Sequence, residues 1–247
     1  MPENAGRVAR GARVSRPDDE VSIRPSAYST DGGPSDKVVL IAGATSAAGR
    51  AVAQALLDAG ARVIAVGSDQ GRIDAFTAGL PGVIGERADL TDGDDVLELA
   101  MRVHARVGDV DGVIHLVGGW RGGGGIPGQT DEDYRVVERS FTALRYASRA
   151  FWDDVLASPA GRIAMVSSTT VEKPTAGGAN YTAVKAASES WMRSLAQGIG
   201  KAESPAAAVT FRVNSLAGLE DRLATSVVDL WRTDDPGLNG SVIELRP

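Results

Sequence analysis

The chain has 247 residues, 43% of them hydrophobic and 23% charged, a balance that suits one large globular α/β domain. With no cysteine it holds no disulfide, thiolate nucleophile or Cys-based metal site, and its two histidines are too few for a His-rich metal centre, so no metal is expected. The net charge of −6 argues against nucleic-acid binding, and no apolar run approaches the ~18 residues a membrane-spanning helix needs.

Residues 1–36 are rich in proline and charge and poor in apolar side chains, so they are read as a flexible N-terminal tail ahead of a single domain over 37–247. Arg7, Arg10, Arg13 and Arg16 recur every third residue, which leaves a basic binding arm as the alternative. No apolar stretch follows these arginines, so no secretory signal is expected. With no cysteine and no membrane span, a cytoplasmic protein is expected.

From Lys37 strands alternate with helices. Val38–Ala42 is a continuous apolar run, as for a strand buried on both faces. A glycine-rich turn and a helix over 50–59 follow, then strands over 62–66 and 83–88. Asp92 is placed to cap the next helix, whose acids come early and whose Arg102 and Arg106 come late, as a helix dipole favours. Strands at 112–117, 162–166, 209–213 and 242–245 and helices at 131–157 and 180–199 complete the set. Strict β/α alternation predicts an α/β, Rossmann-like doubly wound parallel sheet with helices on both faces.

The turn Gly43-Ala44-Thr45-Ser46-Ala47-Ala48-Gly49 joins the first strand to the first helix. Free backbone N–H groups and the positive helix end there suit a pyrophosphate, although a plain strand–helix turn also uses glycines. Tyr181 and Lys185 lie four apart and share a helix face. An ammonium beside a phenol favours the phenolate and draws its pKa below about 10, so such a tyrosine can pass a proton near neutrality. Ser167 and Ser168 fall at the carboxyl edge of the fifth strand, where open α/β sheets bind ligands.

Taken together, the Gly43 to Gly49 turn, Asp89 in Ala-Asp-Leu-Thr-Asp, and Ser168 followed by Tyr181-x-x-x-Lys185 resemble the short-chain dehydrogenase/reductase family from about Val38 to Leu245. The resemblance implies a nicotinamide cofactor held by Gly43, Thr45, Ser46, Ala47, Ala48, Gly49, Ser68, Asp89, Leu90, Val117 and Gly118, with Asp89 at the adenine. It implies Tyr181 as general acid/base, Lys185 as the residue that lowers its pKa and holds the nicotinamide ribose, and Ser168 as the group orienting a carbonyl. The family's helix asparagine aligns with Ser140, which is shorter and puts the proton relay in question. It also implies a small-molecule substrate and a homo-oligomer, dimer or tetramer, through the two long helices; Phe141, Leu144, Phe151, Trp152 and Trp191 serve either that interface or the core.

The chain departs from the family at several points. Ala47 replaces a glycine, and His115-Leu116-Val117-Gly118 stands where the family has Asn-Asn-Ala-Gly. His115 is read as a structural hydrogen-bonding residue, with a cofactor contact as the alternative. The stretch after the sixth strand is short, so a reduced substrate lid is expected, with the loop Trp120-Arg121 and its four following glycines, the tail or a partner subunit completing the pocket. At the end of the second strand Gly67 and Ser68 replace the usual acid, and Arg72 follows; these favour NADP(H) over NAD(H), while Asp69 argues the other way. The reading is an NAD(P)-dependent oxidoreductase acting on a carbonyl or its alcohol. A redox-neutral dehydratase, isomerase or cyclase and an inactive binding scaffold remain as alternatives.

Overall fold

A computed structural model describes residues 33–233 and 235–246. The tail expected over 1–36, with its arginine spacing, lies almost wholly outside the described residues. Just ahead of the first strand, Asp36 donates its N–H to the Gly60 carbonyl at 3.0 Å and Pro34 is buried.

Seven strands form one sheet: β1 (Val38–Ala42), β2 (Arg62–Gly67), β3 (Ile84–Arg87), β4 (Gly112–His115), β5 (Arg162–Ser168), β6 (Ala207–Val213) and β7 (Val242–Glu244). All pairings are parallel, in the order β3-β2-β1-β4-β5-β6-β7. The helices are α1 (Ala47–Asp58), α2 (Gln70–Ala78), α3 (Gly93–Arg106), α4 (Asp131–Ala150), α5 (Trp152–Ala157), α6 (Ala179–Lys201) and α7 (Glu220–Asp229). β1 is apolar throughout because it serves two cores: Val39 and Ile41 pack with α1 and α7, while Val38, Leu40 and Ala42 pack with α3, α4 and α6. Strand order reverses between β1 and β4, so the loops leaving those strands diverge and open a crevice at the carboxyl edge.

Several elements differ from expectation, each for a visible reason. The helix expected over 131–157 breaks at Phe151 (φ −112, ψ 18), whose ring is fully buried and meets His104 edge-on at 5.9 Å. β4 ends at His115, because beyond Leu116 the chain leaves the sheet to cross the turn after β1. β5 runs on to Ser168, where Ser167 and Ser168 pair with Arg212 and Val213. α2 was not anticipated and buries only Ile73 and Phe76. Residues 214–219 alone separate β6 from α7, and α7 does not form a cap over the sheet edge: it packs on α1 through Leu223, Ala224, Val227 and Val228. No described helix is long and apolar enough to cross a membrane.

Candidate active site

The turn after β1 is shaped by its glycines. Gly43 has φ 81, and a Cβ there would lie 2.9 Å from the Val117 nitrogen, so both its conformation and the crossing loop exclude a side chain. At Gly49 a Cβ would sit 2.2 Å from the Ala44 carbonyl oxygen, so this glycine is required by the packing of α1 on its own turn. Ser46 caps α1: its hydroxyl accepts from the Gly49 N–H at 3.0 Å and donates to the Gly43 carbonyl at 3.2 Å. The N–H groups of Ala47 and Ala48 find no protein acceptor among the described residues, and both residues line the neighbouring cavity.

That cavity, of about 530 Å³, also brings together His115, Gly118, Trp120, Ser168, Thr170, Tyr181, Lys185 and residues 213–217. Tyr181 and Lys185 stand one turn apart on α6, with the Lys185 ammonium 5.7 Å from the centre of the Tyr181 ring. Lys185 donates to the Val166 carbonyl at 2.8 Å, and Ser168 accepts from the Thr170 N–H at 3.2 Å and hydroxyl at 3.0 Å. The adjacent Ser167 donates instead to buried Glu189 at 2.7 Å, which Arg212 grips through two contacts of 2.8 and 2.7 Å. This buried pair ties α6 to β6.

Burial pushes the Tyr181 phenol up, with the Ser168 hydroxyl pulling the other way. Lys185 itself is lowered to about 8 by burial, against the opposing charge of Glu189.

A second cavity of about 260 Å³ shares Ser46, Leu116, Val117 and Gly118 with the first and continues along the sheet edge. Gly43, Thr45, Ser68, Arg72, Asp89, Leu90 and Arg139 line it. Two hydrogen bonds from Thr91 and the Arg139 guanidinium at 3.1 Å hold the Asp89 carboxyl below its usual range against the effect of burial. Asp69, in the turn between β2 and α2, uses its carboxylate to cap α2 by accepting from the Arg72 N–H at 2.8 Å. Arg72 and Arg50 both border a third hollow of about 300 Å³ beside Thr45, Ser46 and Ala47.

The structure thus gathers the expected site residues around these cavities except Gly49, whose N–H is taken by the Ser46 cap, and Ser140. The Ser140 hydroxyl is buried and donates to the Val137 carbonyl of its own helix at 2.8 Å, which keeps it out of both cavities. The buried Nδ1 of His115 has no partner among the described residues. Burial and the Lys185 charge lower its pKa to about 3, opposed by the Ser140 main chain. The glycine-rich loop is pinned: Gly123 donates its N–H to the Gly177 carbonyl at 2.8 Å, and the Gln129 amide donates to the carbonyls of Gly123 and Gly177 at 3.0 Å. A side chain at Gly122 would meet the Gly177 oxygen at 2.3 Å, and Trp120, largely exposed, stands at the pocket mouth. Thr170, Arg139 and Glu220 were missed by sequence reading; all three follow or face strand ends, the one signal that could have found them.

A parallel doubly wound sheet with Ser168, Tyr181 and Lys185 at its carboxyl edge matches the family model for short chain dehydrogenases over residues 37–214, and the chain belongs to that family. Among curated proteins, it is 31% identical over 166 residues to the "Uncharacterized oxidoreductase YvrD" of Bacillus subtilis, covering 66% of this chain and 62% of that protein. It is 26% identical over 166 residues to the 3-oxoacyl-[acyl-carrier-protein] reductase FabG of Haemophilus influenzae (65% of this chain, 67% of that protein). It is 28% identical over 165 residues to the acetoacetyl-CoA reductase of Synechocystis sp. (66% and 65%). The chain thus spans about two thirds of the length of these relatives or slightly less. Among solved structures, a provisionally assigned short chain dehydrogenase from Pseudomonas syringae superposes with TM-score 0.76 at 23% identity, covering 85% of this chain and 95% of that one. A Brucella melitensis chain described as a short-chain dehydrogenase/reductase and glucose/ribitol dehydrogenase gives 0.74 at 17%, covering 86% and 96%. These likenesses show the fold.

Proposed function

We propose that the protein is an NADP(H)-dependent oxidoreductase that reduces a small-molecule carbonyl, or oxidises the corresponding alcohol. The observation that carries this reading is the convergence of Ser168, Tyr181 and Lys185 on one cavity that continues into the crevice at the start of α1. The unpartnered N–H groups of Ala47 and Ala48 and the positive helix end fit a pyrophosphate, and the second cavity fits an adenosine against Leu90 and Asp89. A nicotinamide bound there supplies or accepts the hydride.

Ser168 and Tyr181 hold the carbonyl oxygen. Tyr181 gives its proton to that oxygen during reduction and takes it back in the reverse direction. Burial keeps the phenol protonated at neutral pH, as a proton donor must be. Lys185, anchored on Val166, lies against the ring and would hold the ribose hydroxyls of a bound nicotinamide nucleotide. Preference for the phosphorylated cofactor is supported by Asp69, whose carboxylate is turned into the α2 cap, and by Arg72 and Arg50, which offer cations beside the turn. The named activities of the FabG and Synechocystis relatives make a 3-oxoacyl thioester the first substrate to try, with acetoacetyl-CoA as probe.

The test is Tyr181→Phe. Turnover of acetoacetyl-CoA, or of any carbonyl the wild type reduces, falls by at least about 100-fold while NADPH affinity stays within about twofold. Unchanged turnover would remove Tyr181 from the role given to it.

A further inference from the structure

His115 ends β4, in register with Ala42 of β1 and Met165 of β5. It is 4% exposed and lines the same cavity as Ser168, Tyr181 and Lys185, yet the proton transfer proposed above makes no use of it. Its Nδ1 is buried without a partner among the described residues, an arrangement that folded proteins rarely leave unresolved. Lys185 shows the complementary deficit. An ammonium carries three donors, and one is placed, on the Val166 carbonyl. The two groups line one cavity, and the main chain of Ser140 reaches the ring from α4. From α6, Lys185 and Tyr181 share its cavity; Glu189, the next acid along that helix, is engaged by Arg212 and Ser167.

We propose that His115 is the positioning residue for Lys185: its Nδ1 accepts a hydrogen bond relayed from the lysine ammonium through one water, and so holds that ammonium against the Tyr181 ring. The role requires a neutral imidazole with its proton on Nε2. The consequence for turnover rests on the oxidoreductase reading; the hydrogen bond itself does not.

The experiment is NMR on protein carrying ¹⁵N-labelled histidine and ¹³C,¹⁵N-labelled lysine. Two histidines, and the lysines Lys37, Lys173, Lys185 and Lys201, keep the spectra assignable, and His104, bonded to Asp154 at 2.7 Å, is the internal reference. Wild-type His115 is expected to stay neutral as the Nε2–H tautomer across the range in which free histidine titrates. His115→Phe keeps a flat ring without nitrogen, and the midpoint of Lys185 then drops from about 8 by roughly one pH unit. His115→Asn restores an acceptor near the Nδ1 position and returns the midpoint to the wild-type value. The basic limb of the pH–rate profile with NADPH and acetoacetyl-CoA follows the same order. An Nδ1–H tautomer in the wild type, or a Lys185 midpoint equal in the wild-type and Phe proteins, overturns the proposal. The tautomer is read without any variant, so a Phe protein that fails to fold does not shield the idea. A wild type that reduces no carbonyl would sink the functional reading while the NMR comparison still decides the hydrogen bond.

Discussion

Two side chains in the pocket are buried where the charged form is disfavoured, and their titration exposes the cost. Lys185 has a folded pKa near 8 against 10.5 for the free side chain, so below pH 8 the folded protein carries a buried ammonium it would rather lose. Between pH 8 and 10.5 the unfolded chain binds the extra proton, and stability rises with pH through that window. The shift corresponds to about 3 kcal/mol, less whatever the hydrogen bond to Val166 returns. Lys185→Met should therefore abolish turnover yet stabilise the fold by ~1–3 kcal/mol at pH 7, with the gain fading towards pH 10 in urea melts. A loss of stability at pH 7 would mean the lysine is a structural asset. His115 behaves in parallel at acid pH. With a folded pKa near 3 against 6.5, it costs stability as pH falls below 6.5, and His115→Asn should flatten that decline in thermal melts from pH 6.5 to 4. The spacing of Tyr181 and Lys185 was legible in the sequence because one helix sets it. The orphaned nitrogen of His115 was not, because strands β1 and β5 and the helices α4 and α6 combine to bury it.

Among the elements, the turn between β1 and α1 carries most of the specificity argument. Gly49→Ala puts a methyl 2.2 Å from the Ala44 oxygen, with backbone on both sides and nothing free to yield. A loss of at least ~2 kcal/mol is expected in denaturant melts, together with weaker NADPH binding; a variant as stable as wild type would show that the turn relaxes easily. Cofactor choice is tested at α2. Arg72→Glu should weaken NADPH at least ~10-fold while leaving NADH within about threefold, and equal losses for both would place Arg72 away from the 2′-phosphate. The strands were legible because each is a short apolar run bounded by glycine, acid or turn residues. α2 was hidden because two apolar side chains make no periodic stripe, and the break between α4 and α5 was hidden because Phe151 looks like any other apolar residue of a long helix.

At the scale of the whole molecule, the apolar residues of the two long helices divide. Leu144 and Phe151 are fully buried and belong to the core. Phe141 and Trp191 meet edge-on at 6.4 Å, half-buried, with the Arg145 guanidinium over both rings at 5.8 and 5.6 Å. Tyr134 lies exposed two turns earlier on the same face of α4. We propose that this face of α4 and α6 pairs with a second copy, and light scattering should return a multiple of the 25.6 kDa chain that Phe141→Glu reduces to a monomer. A monomeric wild type would reject that assembly. Gly118, Gly119 and Trp120 line the pocket from the β4 side, and residues 214–217 with Glu220 line it from the β6 side.

The central claim is that the crevice along this sheet edge is a working nicotinamide pocket. Titration of the protein with NADPH and NADH, followed by tryptophan quenching and nicotinamide fluorescence, tests it most directly. Binding of NADPH at about 1–10 μM, roughly −7 to −8 kcal/mol, with NADH at least ~10-fold weaker and Tyr181→Phe unchanged, is the predicted result. No binding of either nucleotide up to about 1 mM would contradict the account at its base.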